Sequence, residues 1–248
     1  SVSAETSDIK VTAIEKVNTD YEIYPSPQSV EYEEGSFNFG SDVNVVYEKG
    51  IDNYTKSRLE DEILKAHSIS YEVSDSNQII NGKTNILVGV YGSGEAVDRY
   101  AEKYTLLTEN LFSKTDSYCL VSDNNVITVL GKDTDSAFYG LTTLYHIFNQ
   151  VTDNEIRNFK IEDYANVVTR GFIEGYYGNP WSVQDRADLM TYGGYYKLNA
   201  YFYAPKDDPK HRVQWRSLYT EDELKWIKQL ADAGKASKWR FVYGIQPF

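Results

Sequence analysis

The chain has 248 residues and a net charge of −12, and no basic block offsets that charge. This balance argues against nucleic acid and anionic membrane surfaces as partners, because both are bound through clustered lysine and arginine. No apolar run approaches the ~18 residues of a membrane-spanning helix, and the single cysteine, Cys119, cannot form a disulfide within the chain. The 22 tyrosines suit carbohydrate contacts, with a flat ring and a polar tip, although strand positions account for most of them.

The first half of the chain mixes strand and helix patterns. The first 20 residues are polar and weakly patterned, which predicts a tail or linker. Pro25 and Pro27 confine the segment that follows to an edge or extended strand. A hairpin is predicted around residues 123–125, where Asp-Asn-Asn gives the strongest turn signal. Apolar spacing predicts further strands near 42–48 and 84–92, and helices near 52–67, 94–104 and 134–150.

From residue 165 onward the pattern becomes β-α-β-α-β. The strand-like runs are "VVTRGFIEG", "LNAYFYAP" and "WRFVYGIQP". Ser182 with Asp185, and Thr220 with Glu223, have the spacing of capping boxes that begin the two intervening helices. The glycine pair at 193–194 is expected to cap the end of the first helix. Short connections of this kind are typical of parallel strands in an α/β layer.

These patterns predict a fold of mixed α/β and α+β type in three parts. A tail or linker covers residues 1–20, an N-terminal α/β domain covers 21–164, and the start of a (β/α)8 TIM barrel covers 165–248. A complete barrel takes roughly 200 residues or more, whereas about 80 follow Val168. We therefore expect three βα units of a barrel that is incomplete in this chain.

Three stretches resemble the opening of the catalytic barrel in glycoside hydrolase family 84. They are "RGFIEGYYGNPWSVQDR", "KLNAYFYAPKDDPKHRVQWR" and "FVYGIQP". The family contains bacterial β-N-acetylglucosaminidases, once called hyaluronidases, and the O-GlcNAcases. The upstream stretches "YEIYPSPQ", "DSYCLVSDNNVITVLGKDTDSAFYGLTTLYHIF" and "IEDYANVVTRG" are similar to the α/β domain that precedes this barrel, which is of the hexosaminidase domain-2 type. The resemblance covers roughly residues 21–248.

The resemblance implies two substrate-binding residues, Gly175 and Lys206. Gly175 matches the position whose backbone carbonyl accepts a hydrogen bond from a sugar hydroxyl, and Lys206 matches the lysine that donates to hydroxyls of the terminal N-acetylglucosamine. Both follow predicted strand ends, where barrel loops build active sites. Read without the resemblance, Gly175 and Gly178 are turn glycines, and Lys206 neutralises a neighbouring carboxylate.

No catalytic residue is assigned within this chain. The family's acid pair follows the fourth barrel strand, so the resemblance places it beyond Phe248. The adjacent Asp207 and Asp208 are a tempting substitute, but neighbouring residues on an extended strand point to opposite faces. The following "HR" suggests an ion-paired loop instead. Glu174 is either a buried carboxylate with a raised pKa or a residue that fixes the turn by hydrogen bonding.

For the complete protein, the resemblance implies removal of terminal β-linked N-acetylglucosamine by substrate-assisted retaining catalysis with an oxazoline intermediate. Its partners would be N-acetylglucosamine-containing glycans or glycoproteins, and no cofactor or metal is expected. The 248-residue chain alone is expected to be inactive. Alternatives are a related β-hexosaminidase and a non-catalytic carbohydrate-binding fragment. The composition favours a secreted or cell-surface bacterial protein. His67 and His146 are interpreted as surface or packing residues.

Overall fold

The computed structural model describes residues 20–74, 77–175 and 179–246, which form two sheets. The strands of the first sheet are β1 (Ser29–Asn38), β2 (Asp42–Tyr47), β3 (Ser70–Val73), β4 (Thr84–Val90), β5 (Tyr118–Asp123), β6 (Val126–Gly131) and β7 (Glu155–Asp163). Its helices are α1 (Asn53–Leu59), α2 (Ala96–Ala101) and α3 (Thr134–Phe148). The second sheet has strands β8 (Gly171–Glu174), β9 (Ala200–Tyr203) and β10 (Arg240–Tyr243), with helices α4 (Val183–Gly194) and α5 (Glu221–Ala236).

The first sheet is mixed, with the strand order β1-β7-β5-β6-β4-β2-β3. The pairs from β3 to β6 are parallel, and the pairs from β6 through β5 and β7 to β1 are antiparallel. Asn124 and Asn125 both have positive φ, at 44° and 68°, which suits the tight turn of the β5–β6 hairpin. The predicted hairpin is confirmed, and β1, which follows Pro25 and Pro27, lies at the sheet edge as expected.

Both faces of this sheet are covered. The larger apolar core includes Leu59 of α1 and Phe138 and Leu144 of α3, all fully buried against strand residues. A smaller apolar core is formed by Val97, Phe112 and neighbouring strand residues, and it is separate from the larger one. Burial of apolar surface from two sides is the main stabilising contribution of such a layered arrangement.

The second sheet has the order β10-β9-β8, and both of its strand pairs are parallel. Helices α4 and α5 begin with complete capping boxes, Ser182 with Asp185 and Thr220 with Glu223. In each box the side chain of the first residue accepts from a backbone N–H, and the acidic side chain accepts in return. The predicted β-α-β-α-β unit is therefore confirmed, as the beginning of a βα-repeat layer.

The strand residues of this layer alternate between two faces. Tyr201 and Tyr203 of β9 pack with Met190 of α4 and Leu230 of α5. Ile173, which lies between buried Glu174 and half-buried Phe172, is 69% exposed. The helices thus cover one face, and the opposite face is the one that would line the inside of a barrel.

Two expectations need correction, and two strands were missed. The helix expected over 52–67 is α-helical only in α1 and continues as a π-helical turn over Glu60–Lys65. Strands β3 and β7 were not anticipated. The glycine pair at 193–194 does not form a left-handed cap, because the positive φ of 60° falls on Lys197 instead. A Cβ on Gly193 would come within 2.4 Å of the Trp239 ring, so close helix packing requires this glycine.

Candidate functional site

The ends of the three parallel strands bring both predicted substrate-binding residues to one edge. Glu174, the last residue of β8, pairs with Tyr203, the last residue of β9, and Tyr203 pairs with Tyr243 at the end of β10. Gly175 directly follows β8, and Lys206 lies three residues beyond the end of β9. The carboxyl edge of such a layer is where βα loops build binding sites.

Gly175 is exposed. It is not among the glycines with positive φ. A Cβ added there would meet no atom within 4 Å among the described residues. Among the described residues, nothing at this point requires glycine, either for a left-handed turn or for a close neighbour. Gly178, the other predicted turn glycine, lies outside the described residues.

Lys206 lies at the tip of a β-turn. The backbone N–H of Asp208 donates to the carbonyl oxygen of Pro205 at 3.1 Å, which places Lys206 and Asp207 at the two central positions. Both central side chains are exposed. The turn thus places Lys206 at the same edge as Gly175.

The two adjacent aspartates have different surroundings. Asp207 is exposed at the turn, whereas the Asp208 carboxylate accepts hydrogen bonds from the hydroxyl groups of Tyr203 and Tyr219, each at 2.9 Å. The loop is ion-paired, through Lys210 and Glu223. His211 takes no part in that pair, since its Nδ1–H donates to the Gly244 carbonyl at 2.6 Å. Asp208 therefore stabilises the loop through hydrogen bonds to these tyrosines.

Glu174 is buried in an ion pair with a helix. Its carboxylate accepts from Nε and Nη2 of Arg186 on α4, at 2.9 and 2.7 Å, and from the hydroxyl of Tyr201. Burial lowers the pKa of Arg186, but hydrogen bonding and charge from Glu174 outweigh it, so that pKa lies above its usual value. Burial and the same carboxylate raise the pKa of the Tyr201 hydroxyl. Glu174 thus fixes α4 on the sheet, and it is not placed as a free acid.

The remaining candidate groups are structural. The Nδ1–H of His67 donates to the Ile63 carbonyl within its own helical segment, and the Nε2–H of His146 donates to the Tyr195 carbonyl. Burial raises the pKa of the Cys119 thiol to about 12, which makes it a poor nucleophile. Among the described residues, no group of histidine, cysteine, aspartate or glutamate could hold a metal ion. None of the described helices is long and apolar enough to span a membrane.

A groove of about 410 Å³ lies beside this edge, between the loops that follow β8 and β9. Trp181, Tyr203 and Trp226 line it together with Asp207 and Lys210. Since Tyr203 and Trp226 belong to the cluster between sheet and helices, the groove opens on the helix-covered side. Sequence reasoning missed this groove, because it depends on how α4 and α5 approach the sheet.

Two family models match the chain, one on each sheet. Residues 20–164 match the domain 2 model of glycosyl hydrolase family 20, and residues 170–248 match the β-N-acetylglucosaminidase model. Both predicted substrate-binding residues lie in the second match.

Three similar proteins match part or most of this chain. The protein O-GlcNAcase of Rattus norvegicus is 40% identical over 77 residues, which are 31% of this chain and 8% of that protein. A solved structure named CpGH84D superposes on 92% of this chain and 38% of its own, with 47% identity and a TM-score of 0.87. A second, CpGH84B, covers 92% of this chain and 37% of its own, with 29% identity and a TM-score of 0.78. The chain therefore spans well under half the length of these relatives.

Proposed function

Because the chain belongs to glycoside hydrolase family 84, with an O-GlcNAcase-like catalytic portion after a family 20-type domain 2, we propose that the full-length protein removes terminal β-linked N-acetylglucosamine from glycans or glycoproteins. The observation that carries this proposal is the meeting of Gly175 and Lys206 at one carboxyl edge, inside the matched β-N-acetylglucosaminidase segment. Its place in a secreted or cell-surface setting stays a prediction.

In this proposal, the described residues hold the sugar. The Lys206 ammonium is a compact donor for sugar hydroxyls. The Gly175 carbonyl accepts from another hydroxyl, and the described residues leave room for the ring beside the Gly175 Cα. Hydrogen bonds to several hydroxyl groups of the sugar orient its glycosidic bond for attack, which lowers the entropic part of the barrier.

The chemistry is substrate-assisted and retaining. The carbonyl oxygen of the substrate's 2-acetamido group attacks the anomeric carbon, and an oxazoline forms as the bond to the leaving oxygen breaks. A carboxylic acid protonates that oxygen and its conjugate base then activates water, while a neighbouring carboxylate orients the amide. At this edge Glu174 is committed to Arg186, and Asp208 to tyrosine hydroxyls. Following the family resemblance, we assign the acid pair to the remainder of the full-length protein, and we expect the 248-residue chain alone to be inactive.

The test is the Lys206→Ala variant of the full-length protein, assayed with an aryl β-N-acetylglucosaminide. Loss of a charge-assisted hydrogen bond predicts a fall in kcat/KM equivalent to about 1–3 kcal/mol of transition-state binding. Lys225→Ala is the matched control, because Lys225 is an exposed lysine on α5 that pairs with Asp222. Equal kinetics for the two variants would contradict the assignment of Lys206, and turnover by the isolated 248-residue chain would contradict the assignment of the acid pair.

A further inference from the structure

The loop that carries Lys206 consists of two consecutive turns that share Asp208. The first turn runs from Pro205 to Asp208, closed by the 3.1 Å bond between the Asp208 N–H and the Pro205 carbonyl. The second is closed by the His211 N–H, which donates to the Asp208 carbonyl at 3.2 Å. Asp208 is therefore the last residue of the turn that presents Lys206 and the first residue of the next.

The Asp208 side chain fastens this junction to the sheet. Its Oδ1 accepts from the Lys210 N–H at 2.8 Å, which is the Asx-turn that aspartate forms readily before proline. Its Oδ2 accepts from Tyr203 on β9 and from Tyr219 just before α5. The Tyr219 hydroxyl also lies 2.5 Å from the hydroxyl of Tyr243 on β10. One carboxylate thus ties the loop to two strands.

The tyrosines are suited to remain donors. Tyr203 is buried, and its ring stacks on that of Tyr243 with the centroids 5.7 Å apart. Burial and the nearby Asp208 carboxylate both raise the pKa of Tyr203. Burial also raises the pKa of Tyr219, and its hydrogen bonds to Tyr243 and Asp208 add to that rise. The hydroxyl protons are therefore retained and point to a fixed acceptor.

We propose that Asp208 is a positioning residue that holds Lys206 in the orientation required to bind the sugar. This inference rests on the proposed function, since it concerns how Lys206 is held in the same sugar-binding site. The adjacent Asp207 has the same charge and lies in the same turn, but it is exposed and makes none of these contacts to the sheet. The two aspartates of one "DD" pair thus differ in role, which allows a matched comparison.

The experiment compares Asp208→Ala, Asp208→Asn and Asp207→Ala in the full-length protein, with an aryl β-N-acetylglucosaminide as substrate. We expect Asp208→Ala to raise KM about tenfold, the equivalent of one lost charge-assisted hydrogen bond. Asp208→Asn keeps the acceptor for the Lys210 N–H and should recover part of that loss. Asp207→Ala should have a clearly smaller effect than Asp208→Ala, because Asp207 makes none of the contacts that fasten the loop to the sheet. Similar kinetics for Asp207→Ala and Asp208→Ala would overturn the inference.

A double-mutant cycle separates positioning from a general loss of structure. If Asp208 acts through Lys206, Asp208→Ala should raise KM in the wild-type background and have almost no further effect in the Lys206→Ala background. Full additivity of the two changes would overturn the inference. If Asp208→Ala fails to fold, the Tyr203→Phe/Tyr219→Phe variant enters the same cycle, since it removes both hydroxyl donors and leaves the turns intact. A wild-type protein without turnover would overturn the proposed function, whereas an active protein with an additive cycle would overturn this inference alone.

Discussion

Gly171 and Gly175, at the two ends of β8, differ in the space available for a side chain. A Cβ on Gly171, at the start of the strand, would lie 1.7 Å from the carbonyl oxygen of Ala200 on β9. A Cβ on Gly175, just after the strand, would meet no atom within 4 Å in the described parts of the chain. Packing explains Gly171 fully. For Gly175 the described fold gives no such reason, which leaves space for a ligand as the explanation.

This difference predicts opposite effects of the same substitution. Gly171→Ala should lower the free energy of unfolding by about 1–3 kcal/mol, because backbone atoms of β9 must move. Gly175→Ala should leave it unchanged or raise it by up to about 1 kcal/mol, because alanine restricts the unfolded chain. In the full-length protein, however, Gly175→Ala should raise KM for the sugar substrate.

Chemical denaturation of both variants, together with steady-state kinetics of Gly175→Ala, checks this prediction. A destabilised Gly175→Ala protein would favour the interpretation of Gly175 as a turn glycine. An unchanged KM would remove the support that the open space gives to a sugar at this point.

At the scale of elements, the end of α4 is packed against α3 of the first sheet. The Nε2–H of His146 on α3 donates to the carbonyl of Tyr195, the residue after α4, at 2.6 Å. The rings of Tyr145 and Tyr195 stack with centroids 4.5 Å apart. A histidine interpreted from the sequence as a packing residue therefore joins two helices.

This contact predicts a pH dependence of stability. Burial lowers the pKa of His146 below its ordinary value of 6.5, and the charges of Lys197 and Arg58 lower it further, against the opposing bond to Tyr195. The unfolded chain therefore binds the proton more readily, so stability should be full above the unfolded pKa and fall as the pH drops through about 6.5.

Thermal denaturation of wild type and His146→Gln between about pH 7.5 and 5.5 measures this effect, because most carboxylates stay ionised in that window. The variant should show a shallower decrease of Tm than the wild type. His67→Gln is the control, since His67 bonds within its own helical segment. Equal pH slopes for His146→Gln and the wild type would contradict the prediction.

The elements also show which patterns the sequence could and could not predict. Ser182 and Thr220 begin helices as their spacing predicted, because a capping box is a local interaction over three residues. Strand β7 was missed because it is buried on both faces and carries the buried Glu162, whose carboxylate accepts from the N–H groups of Leu107 and Thr108. The alternation over residues 159–162 spans only four residues, and the burial of Glu162 depends on a loop some 55 residues away, which no local pattern shows.

The hydrogen-bond and ion-pair partners of the site residues could not be predicted from local sequence patterns either. The sequence indicated that Glu174 forms hydrogen bonds, but its ion pair with Arg186 depends on the rotation of α4 over the sheet. The role of Asp208 depends on Tyr219 and Tyr243, which are 11 and 35 residues away in sequence. Motif resemblance gave the positions of Gly175 and Lys206, while the support beneath them required the folded chain.

At the scale of the whole molecule, the first sheet anchors the start of β9. The ammonium of Lys197, three residues before β9, donates to Asp163 of β7 at 3.0 Å and to the hydroxyl of Tyr118 of β5 at 2.8 Å. Burial lowers the pKa of Lys197, and the Asp163 carboxylate opposes that effect. Arg170, just before β8, forms an ion pair with Asp116 at 2.8 Å. Both pairs join residues of the first sheet or its loops to residues shortly before strands of the second sheet.

The two sheets therefore act together. The family 20-type domain fixes the entry of the strands whose opposite ends carry Gly175 and Lys206. The first sheet thereby supports the edge that we propose binds the sugar.

We propose that the full-length protein is a substrate-assisted β-N-acetylglucosaminidase, and this proposal can be tested directly. The most direct measurement compares its initial rates on an aryl β-N-acetylglucosaminide and on the matching aryl β-glucoside, which lacks the acetamido group, and follows the anomer of the first product by NMR. We predict turnover of the N-acetylglucosaminide with the β-anomer released first, and almost none of the glucoside. Equal rates on the two substrates, or release of the α-anomer, would contradict the account.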